Sequence, residues 1–367
     1  MQSIGIVGVG SYLPEAIITN EEIGCGAGVS DEWIVRKTGI RERRRAAPHE
    51  ATSDLAAVAA QRALARAGLT ADQLAYVVVA TSTPDHPQPA TAALVQNLIG
   101  ASRAAAFDVN SVCSGYVYAL KAVERMLAGT PADEPHHGLV IGADIYSRIL
   151  DYGDRRTAVL FGDGAGATVL GPVAPGLGLR KICLTSRGDA HRLIGVAAGG
   201  SRHPASPATV TEGGHYFRMD GRGVRDFIQR TLPGEISGLL RGAGVPATAV
   251  RHFVPHQANG IMLADLWPGL GMDRAAQHLT VERYGNTGAA SVPITLAEMD
   301  RAGAAAPGDP VVLAAFGGGM SIGTALLTWT MATATNTRRT RRSSAVADAL
   351  CNVPDLLAAG GPSPLAS

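Results

Sequence analysis

One arrangement of strands and helices occurs twice in this 367-residue chain, and the duplication limits what it can fold into. The buried-strand pattern at 76–81 is matched at 251–254, the turn-to-helix step at Cys113 is matched at 286–288, and the strand at 139–143 is matched at 311–315. All three pairs share an offset of about 172 to 175 residues, far longer than the unit of a solenoid. Each half runs in the manner of a βαβ unit, whose sheet has to be covered by helices. The expected fold class is therefore α/β, with two halves, 1–172 and 173–330, each built on a mostly parallel sheet. Stacked together they would make a five-layered α-β-α-β-α body. With 46% hydrophobic residues, the chain has the apolar content that cores of this size require.

Within that frame, 4–9 reads as a first strand and the stretch from Asp31 as a helix capped by Ser30 and stopped by Gly39, followed by helices at 53–67 and 91–98. The basic run 41–45 is either a phosphate-binding element or a solvated face. A glycine-rich strand pair is expected over 158–170, around FGDGAGA. No Lys-Ser/Thr follows those glycines, so they do not make a phosphate loop, and close backbone approach explains them better. Residues 171–214, rich in Gly, Pro and Ser, read as connector and cap. Helices are then expected at 223–240, 258–266 and 288–302, with strands at 251–254, near Leu279, at 311–315 and at 323–329. Residues 331–367 read as a disordered tail in which 345–358 can form a brief helix.

The formal net charge of +1 leaves no surplus to draw the chain to nucleic acid or to a membrane surface. Cys25, Cys113, Cys183 and Cys351 lack the CxxC spacing of a zinc site or disulfide framework, which fits a reducing cytoplasm. The N-terminus lacks the pattern of a signal peptide, and no apolar run is long enough to span a bilayer.

Cys113 falls where a strand from 104 hands over to an apolar helix. Such a cysteine is either a small buried thiol or a nucleophile, since unpaired N–H groups at a helix start favour the thiolate. His256 follows a buried strand directly, in VPHQAN, and Asn286 precedes a helix in YGNTGAASVP. In open α/β sheets ligands bind off the carboxyl ends of the strands, so these three residues can converge.

The segments SDEWIVRKTGIRERR, FDVNSVCSGYVYAL, FGDGAGA, VPHQAN, YGNTGAASVP and AFGGGM occur in this order. They make the chain from residue 1 to Trp329 resemble the type III β-ketoacyl-acyl-carrier-protein synthases of the thiolase superfamily. The resemblance implies a thiolase-like fold, a homodimer, no metal or redox cofactor, and a catalytic set of Cys113, His256 and Asn286. It also implies an oxyanion hole from the N–H groups of Cys113 and Gly318. In the reaction it implies, Cys113 takes an acyl group from an acyl-CoA or acyl-carrier thioester. A malonyl-acyl carrier protein then loses carbon dioxide while His256 and Asn286 stabilise its enolate, and the carbanion attacks the acyl-cysteine. A reading in a different reaction class passes the acyl group to a hydroxyl, an amine or a second carrier without decarboxylation.

By the same resemblance, Trp33, Lys37, Arg155, Arg156 and Asn259 bind coenzyme A or carrier, Phe316, Met219 and Arg225 form the acyl pocket, and Gln88 floors that of the partner subunit. The chain departs from the pattern at Ile261, where the family usually has an arginine that helps to bind phosphate, and at Lys37, where arginine is common. Arg156, where glycine is common, would return charge. Gln88 in place of an aromatic ring, and Arg225 in place of an apolar residue, point to a more polar or roomier starter pocket. They also point to polyketide or other specialised metabolism rather than housekeeping fatty-acid initiation.

Overall fold

The computed structural model describes residues 2–131 and 136–332, so the tail beyond Ala332, with its expected helix and Cys351, lies outside the described residues. β1 (Ser3–Tyr12) opens the chain. β2 (Ala16–Thr19) and β3 (Glu42–Arg45) form a small antiparallel pair that brackets α1 (Asn20–Ala27) and α2 (Asp31–Thr38). Next come α3 (Thr52–Ala67), β4 (Leu74–Ala80), α4 (Thr91–Leu98), β5 (Ala105–Val109), α5 (Gly115–Leu127), β6 (His137–Asp144) and β7 (Gly164–Val173). β8 (Gly178–Ser186), β9 (Ile194–Val196), α6 (Pro207–Thr211), β10 (Phe217–Met219) and α7 (Gly221–Ala243) follow. The remaining elements are β11 (His252–Pro255), α8 (Gly260–Leu266), β12 (Ala276–Gln277), α9 (Val281–Tyr284), α10 (Ser291–Arg301), β13 (Pro310–Gly317) and β14 (Ser321–Thr328).

Two five-stranded sheets carry the body, in the orders β1-β7-β6-β4-β5 and β8-β14-β13-β11-β12. The two orders correspond strand for strand, and so do the directions. In each, the first two pairings are antiparallel and the last two parallel, so four strands run one way and the second strand runs against them. The duplication is real, and each sheet is mostly parallel, with β7 in the first and β14 in the second as the single reversed strand. The strand that was missed is β8, an edge strand that carries Arg180 and Lys181, the charge with which edges are commonly blunted. As a result 171–214 holds a sheet strand as well as connector. Over 158–170 there is one strand, β7, rather than a pair, and the strand near Leu279 is the short β12, with Leu279 itself exposed.

Side-chain alternation assembles the layers. Val78 and Ala80 of β4 point inward to α5 and α10, whereas Val77 and Val79 point outward to α3 and α4. In the second sheet Val311 and Leu313 face the same central helices, and Val312 and Ala314 face α7 and α8. The sequence of layers is α3/α4, sheet, α5/α10, sheet, α7/α8. A fully buried valine or leucine contributes about 1.5–3 kcal/mol, and the central helices bury theirs against both sheets. Against the first sheet, α10 rests directly on backbone. A Cβ at Gly142 would stand 2.2 Å from the Ala289 carbonyl oxygen, and one at Gly166 would stand 2.5 Å from Ile294 N. This is the close approach expected of the glycines in FGDGAGA.

The basic run is neither a phosphate site nor a uniformly solvated face. Arg43 is buried, donating to Asn20 Oδ1 at 2.7 Å and to the Val159 carbonyl at 2.8 Å, and burial lowers its pKa to about 10. α2 begins and ends as read, with Ser30 Oγ accepting the Trp33 N–H and Gly39 at a φ of 72°. Among the described residues no helix is long and apolar enough to cross a membrane.

Candidate active site

The chain leaves β5 and turns through Val112, whose φ of 47° is seldom adopted by non-glycine residues. A 3₁₀ turn, Val112–Ser114, then runs straight into α5. Asn110 Oδ1 accepts the Val112 N–H at 3.2 Å, and Ser114 Oγ is tied to Ser321 Oγ of β14 at 2.7 Å, so the turn is fixed from both sheets. Cys113 sits in it, buried. Contrary to the expectation that a helix start favours the thiolate, burial and then the charge of Asp144 push the Cys113 thiol up to about 12. A hydrogen bond with Tyr146 pulls the other way without winning. The resting group is a thiol.

His256 stands one residue past β11, its N–H donating to the Ala314 carbonyl at 2.7 Å and its ring edge-on to Phe316 at 5.1 Å. Burial pushes the imidazole down to about 3, which keeps it neutral. Its Nδ1 lies 2.7 Å from Ser291 Oγ, at the start of α10. Ser291 Oγ also accepts the Gln257 N–H at 3.3 Å, and in the tautomer in which it donates to Nδ1 the ring proton sits on Nε2. Asn286 is bridged to Phe161 by two backbone bonds, donating to the Leu160 carbonyl at 2.8 Å and accepting from Gly162 N at 3.0 Å. Its Oδ1 accepts the Gly288 N–H at 3.0 Å, which leaves Nδ2 as the end able to donate into the site. Gly288 has a φ of 58°, and a Cβ there would stand 2.2 Å from Asp144 Oδ2. An imidazole N–H and an amide N–H thus share one pocket with a thiol, a set able to stabilise an oxyanion beside a nucleophile.

Cys113, His256 and Asn286 line one narrow, apolar cavity of about 40 Å³ together with Phe161, Phe217 and Phe316. Gly317 at the end of β13 packs so tightly on the nucleophile turn that a Cβ would be 2.7 Å from Cys113 N, and the Gly318 backbone abuts Val112. A second cavity of about 250 Å³ leads outward, sharing Met219, Val224, Ala258, Asn286 and Phe316 with the first. Trp33, Lys37, Arg155, Arg156, Asn259 and Arg225 line it.

Not every site residue read from the sequence sits as expected. Asn259 caps α8 by accepting the Met262 N–H and donates to the Lys37 carbonyl at 3.1 Å, so its polar atoms serve the walls. Arg156 is held by Asp154 at 2.9 Å, and its charge is shared rather than free. Arg225 pairs with Asp265 at 2.6 Å at the mouth, not in the inner pocket; Gln88, which the resemblance places in the partner subunit's acyl pocket, is exposed on its own chain. Within one chain the space beside Cys113 is small and apolar. Ser291, Asp144 and Tyr146 were missed. Ser291 lay inside YGNTGAASVP, and 144–146 close the carboxyl end of β6, the strand-end rule that singled out His256.

Family models for 3-oxoacyl-[acyl-carrier-protein] synthase III match residues 107–188 and, for its C-terminal part, 240–329. The chain is 55% identical to an acetoacetyl CoA synthase from a Streptomyces species over 326 residues, 88% of this chain and 98% of that protein. It belongs to the β-ketoacyl-acyl-carrier-protein synthase III family. This synthase is also 42% identical to the β-ketoacyl-[acyl-carrier-protein] synthase III of Symbiobacterium thermophilum, over 90% of this chain and 99% of that one. Among solved structures it resembles the priming β-ketosynthase of a polyketide biosynthetic pathway, with a TM-score of 0.82 and 30% identity over 90% of this chain and 97% of that one. The synthase is therefore a condensing acyltransferase with the thiolase-like fold.

At the mouth of the synthase, Arg155 lies over the Trp33 ring at 5.9 Å, a flat platform for a purine or an amide. Among the described residues neither Arg155 nor Lys37 forms an ion pair. Replacing both by alanine should raise the KM for acyl-CoA about tenfold and flatten its dependence on salt, as steady-state assays from low to high ionic strength will read.

Proposed function

We propose that this synthase loads an acetyl group on Cys113 and condenses it with a malonyl thioester, releasing carbon dioxide and a 3-oxobutanoyl thioester. The observation that carries the reading is the pair of donors, His256 Nε2–H fixed by Ser291 and Asn286 Nδ2 fixed by Gly288, beside the thiol. An enolate oxygen gains charge as carbon dioxide leaves, and two preorganised donors in a water-poor cavity favour that charge. Two N–H groups from the nucleophile turn and the 317–318 turn, those of Cys113 and Gly318, are the proposed oxyanion hole for acylation. All of these groups are protein side chains and backbone, and the reaction as proposed needs no metal or redox cofactor.

Starter size follows from the cavity. A water-sized site takes about 10–15 Å³, so about 40 Å³ beside Cys113 accommodates roughly three heavy atoms, an acetyl group and little more. Mixed with a panel of acyl-CoA thioesters, the enzyme should show an acetyl adduct by intact mass and at least tenfold slower loading of six-carbon or longer chains.

For the extender we infer coenzyme A. Ile261, 40% exposed at the mouth, stands where the resemblance puts a phosphate-binding arginine, and the Streptomyces relative bears the name acetoacetyl CoA synthase. A neighbouring hollow that carries Arg192 and Arg222 suits the nucleotide phosphates or an acidic carrier surface. Carbon dioxide release from malonyl-CoA and from malonyl carrier protein, run side by side, decides between the two. The outer edge of β5 has no strand partner among the described residues, which supports a homodimer joined through that edge and is tested by light scattering.

A further inference from the structure

The 3₁₀ turn that follows Asn286 is held to the first half of the chain by a side chain that the reaction does not use. Asp144, the last residue of β6, is fully buried and forms no ion pair among the described residues. Its Oδ2 accepts the Ala289 N–H at 2.7 Å. Its Oδ1 accepts the Ser82 N–H at 2.8 Å and the hydroxyls of Thr81, Ser82 and Thr83 at 3.2, 3.0 and 3.0 Å. Residues 81–83 follow β4, so one carboxylate joins two strand ends of the first sheet to the turn that carries Asn286. A main-chain N–H faces each oxygen and can only donate. The aspartate carboxylate is the short side chain that answers this, with two acceptor oxygens and no donor.

We propose that Asp144 is the positioning residue for Asn286, fixing the turn that aims its amide at the enolate. The inference rests on the reading of Asn286 as an enolate donor. Two successive N–H groups of the turn are taken by side chains, that of Gly288 by Asn286 Oδ1 and that of Ala289 by Asp144 Oδ2. A turn that drifts from Asp144 carries the Gly288 N–H with it, and Asn286 loses the bond that directs Nδ2 into the site. The seating is close, since a Cβ on Gly288 would stand 2.2 Å from Asp144 Oδ2. The Asn286 main chain is already fixed at Leu160 and Gly162, which leaves the direction of the amide for Asp144 to control.

The other two reacting groups are held by different residues. His256 rests on Ser291 and the Ala314 carbonyl, and the Cys113 turn on Asn110 and Ser321. Losing Asp144 should therefore touch decarboxylation and spare loading. Asp144 also raises the Cys113 thiol through its charge, so removing that charge does not hinder loading. In Asp144→Asn the side chain keeps one acceptor for two main-chain N–H groups. Four donors converge on Oδ1 and one on Oδ2, so the remaining oxygen stays with the larger set and the new NH₂ group faces the Ala289 N–H.

Carbon dioxide release by preformed acetyl-enzyme, from whichever of malonyl-CoA and malonyl carrier protein the wild type uses, should fall about 10- to 100-fold in Asp144→Asn, the scale of a misplaced reacting group. Single-turnover loading of Cys113 from acetyl-CoA, followed by mass, should slow by no more than about threefold. Added to Asn286→Ala, the same substitution should cost less than about twofold more, because a donor that is gone cannot be misplaced. An ester in place of the 288–289 amide, made by inserting lactic acid for Ala289, deletes that N–H alone and should reproduce the split at about fivefold. Circular dichroism shows which variants fold, and the ester decides should Asp144→Asn not fold. Carbon dioxide release within threefold of wild type in folded Asp144→Asn overturns the proposal, as does an ester indistinguishable from wild type. Equal losses in both half-reactions, or a full further loss on top of Asn286→Ala, also overturn it by assigning Asp144 to general stability. Wild-type carbon dioxide release in Asn286→Ala overturns the reading of Asn286 itself and the proposal with it.

Discussion

Cys113→Ala should abolish the acyl adduct and lower turnover by at least about 1,000-fold, the scale expected when a nucleophile is removed. The other cysteines are no substitute. Cys25 is exposed on α1 and Cys183 is half-buried in β8, neither lining the two cavities with His256 and Asn286. The two kinds of thiol should separate by reagent. A small alkylating agent at neutral pH should modify Cys25 before Cys113, whose thiol is buried and raised to about 12. An acyl thioester should mark Cys113 alone, because only there does a thiol meet donors and an entrance. Peptide mapping after each treatment reads both. An acyl adduct that survives in Cys113→Ala would remove the nucleophile from the proposed chemistry.

Asn286→Asp should cut carbon dioxide release from the malonyl thioester by about 100- to 1,000-fold, the cost of one preorganised donor. In the wild type the Gly288 N–H holds Oδ1 and turns Nδ2 into the donor. An aspartate keeps the first bond with one oxygen and presents the other, an acceptor, to the oxygen that is gaining negative charge. Repulsion then adds to the lost bond. Acylation of Cys113 should stay within about tenfold, since its oxyanion is assigned to backbone N–H groups. The half-reactions come apart in a single variant, measured as acyl-enzyme mass and as carbon dioxide. Equal losses in both would mean that Asn286 serves the nucleophile and not the enolate.

How far these arguments could be made from the sequence differs from residue to residue. The duplicated body was legible because β4 and β13, buried on both faces, are continuous apolar runs bounded by turns. The charged edge strand β8 and the short pair β2 and β3 give no such signal: β8 was read as connector, β3 as a charge run, and β2 was not read at all. Arg43 shows why a run of one residue type misleads. A guanidinium becomes a core group where carbonyls converge on it, and those carbonyls come from elements 25 and 116 residues away. Cys113, His256 and Asn286 were legible because each ends a strand or starts a helix, and family motifs enclose them. Their protonation was not, since the state of a thiol or an imidazole depends on burial and on neighbours such as Asp144 and Ser291 that only the folded chain supplies.

The contact of α10 with the first sheet at Gly142 and Gly166 has a bearing on how such an enzyme can diversify. Layers separated by side chains have slack, because rotamers change and volumes can be traded between neighbours. Where main chain lies on main chain that freedom is gone, and spacing is dictated by atomic radii. The span from the Cys113 turn to the Asn286 turn is consequently a ruler that sequence drift in the surrounding core does not stretch. Entrance residues and pocket walls are free to be exchanged for new thioesters while the reacting groups stay in register, so specificity and chemistry can be inherited separately.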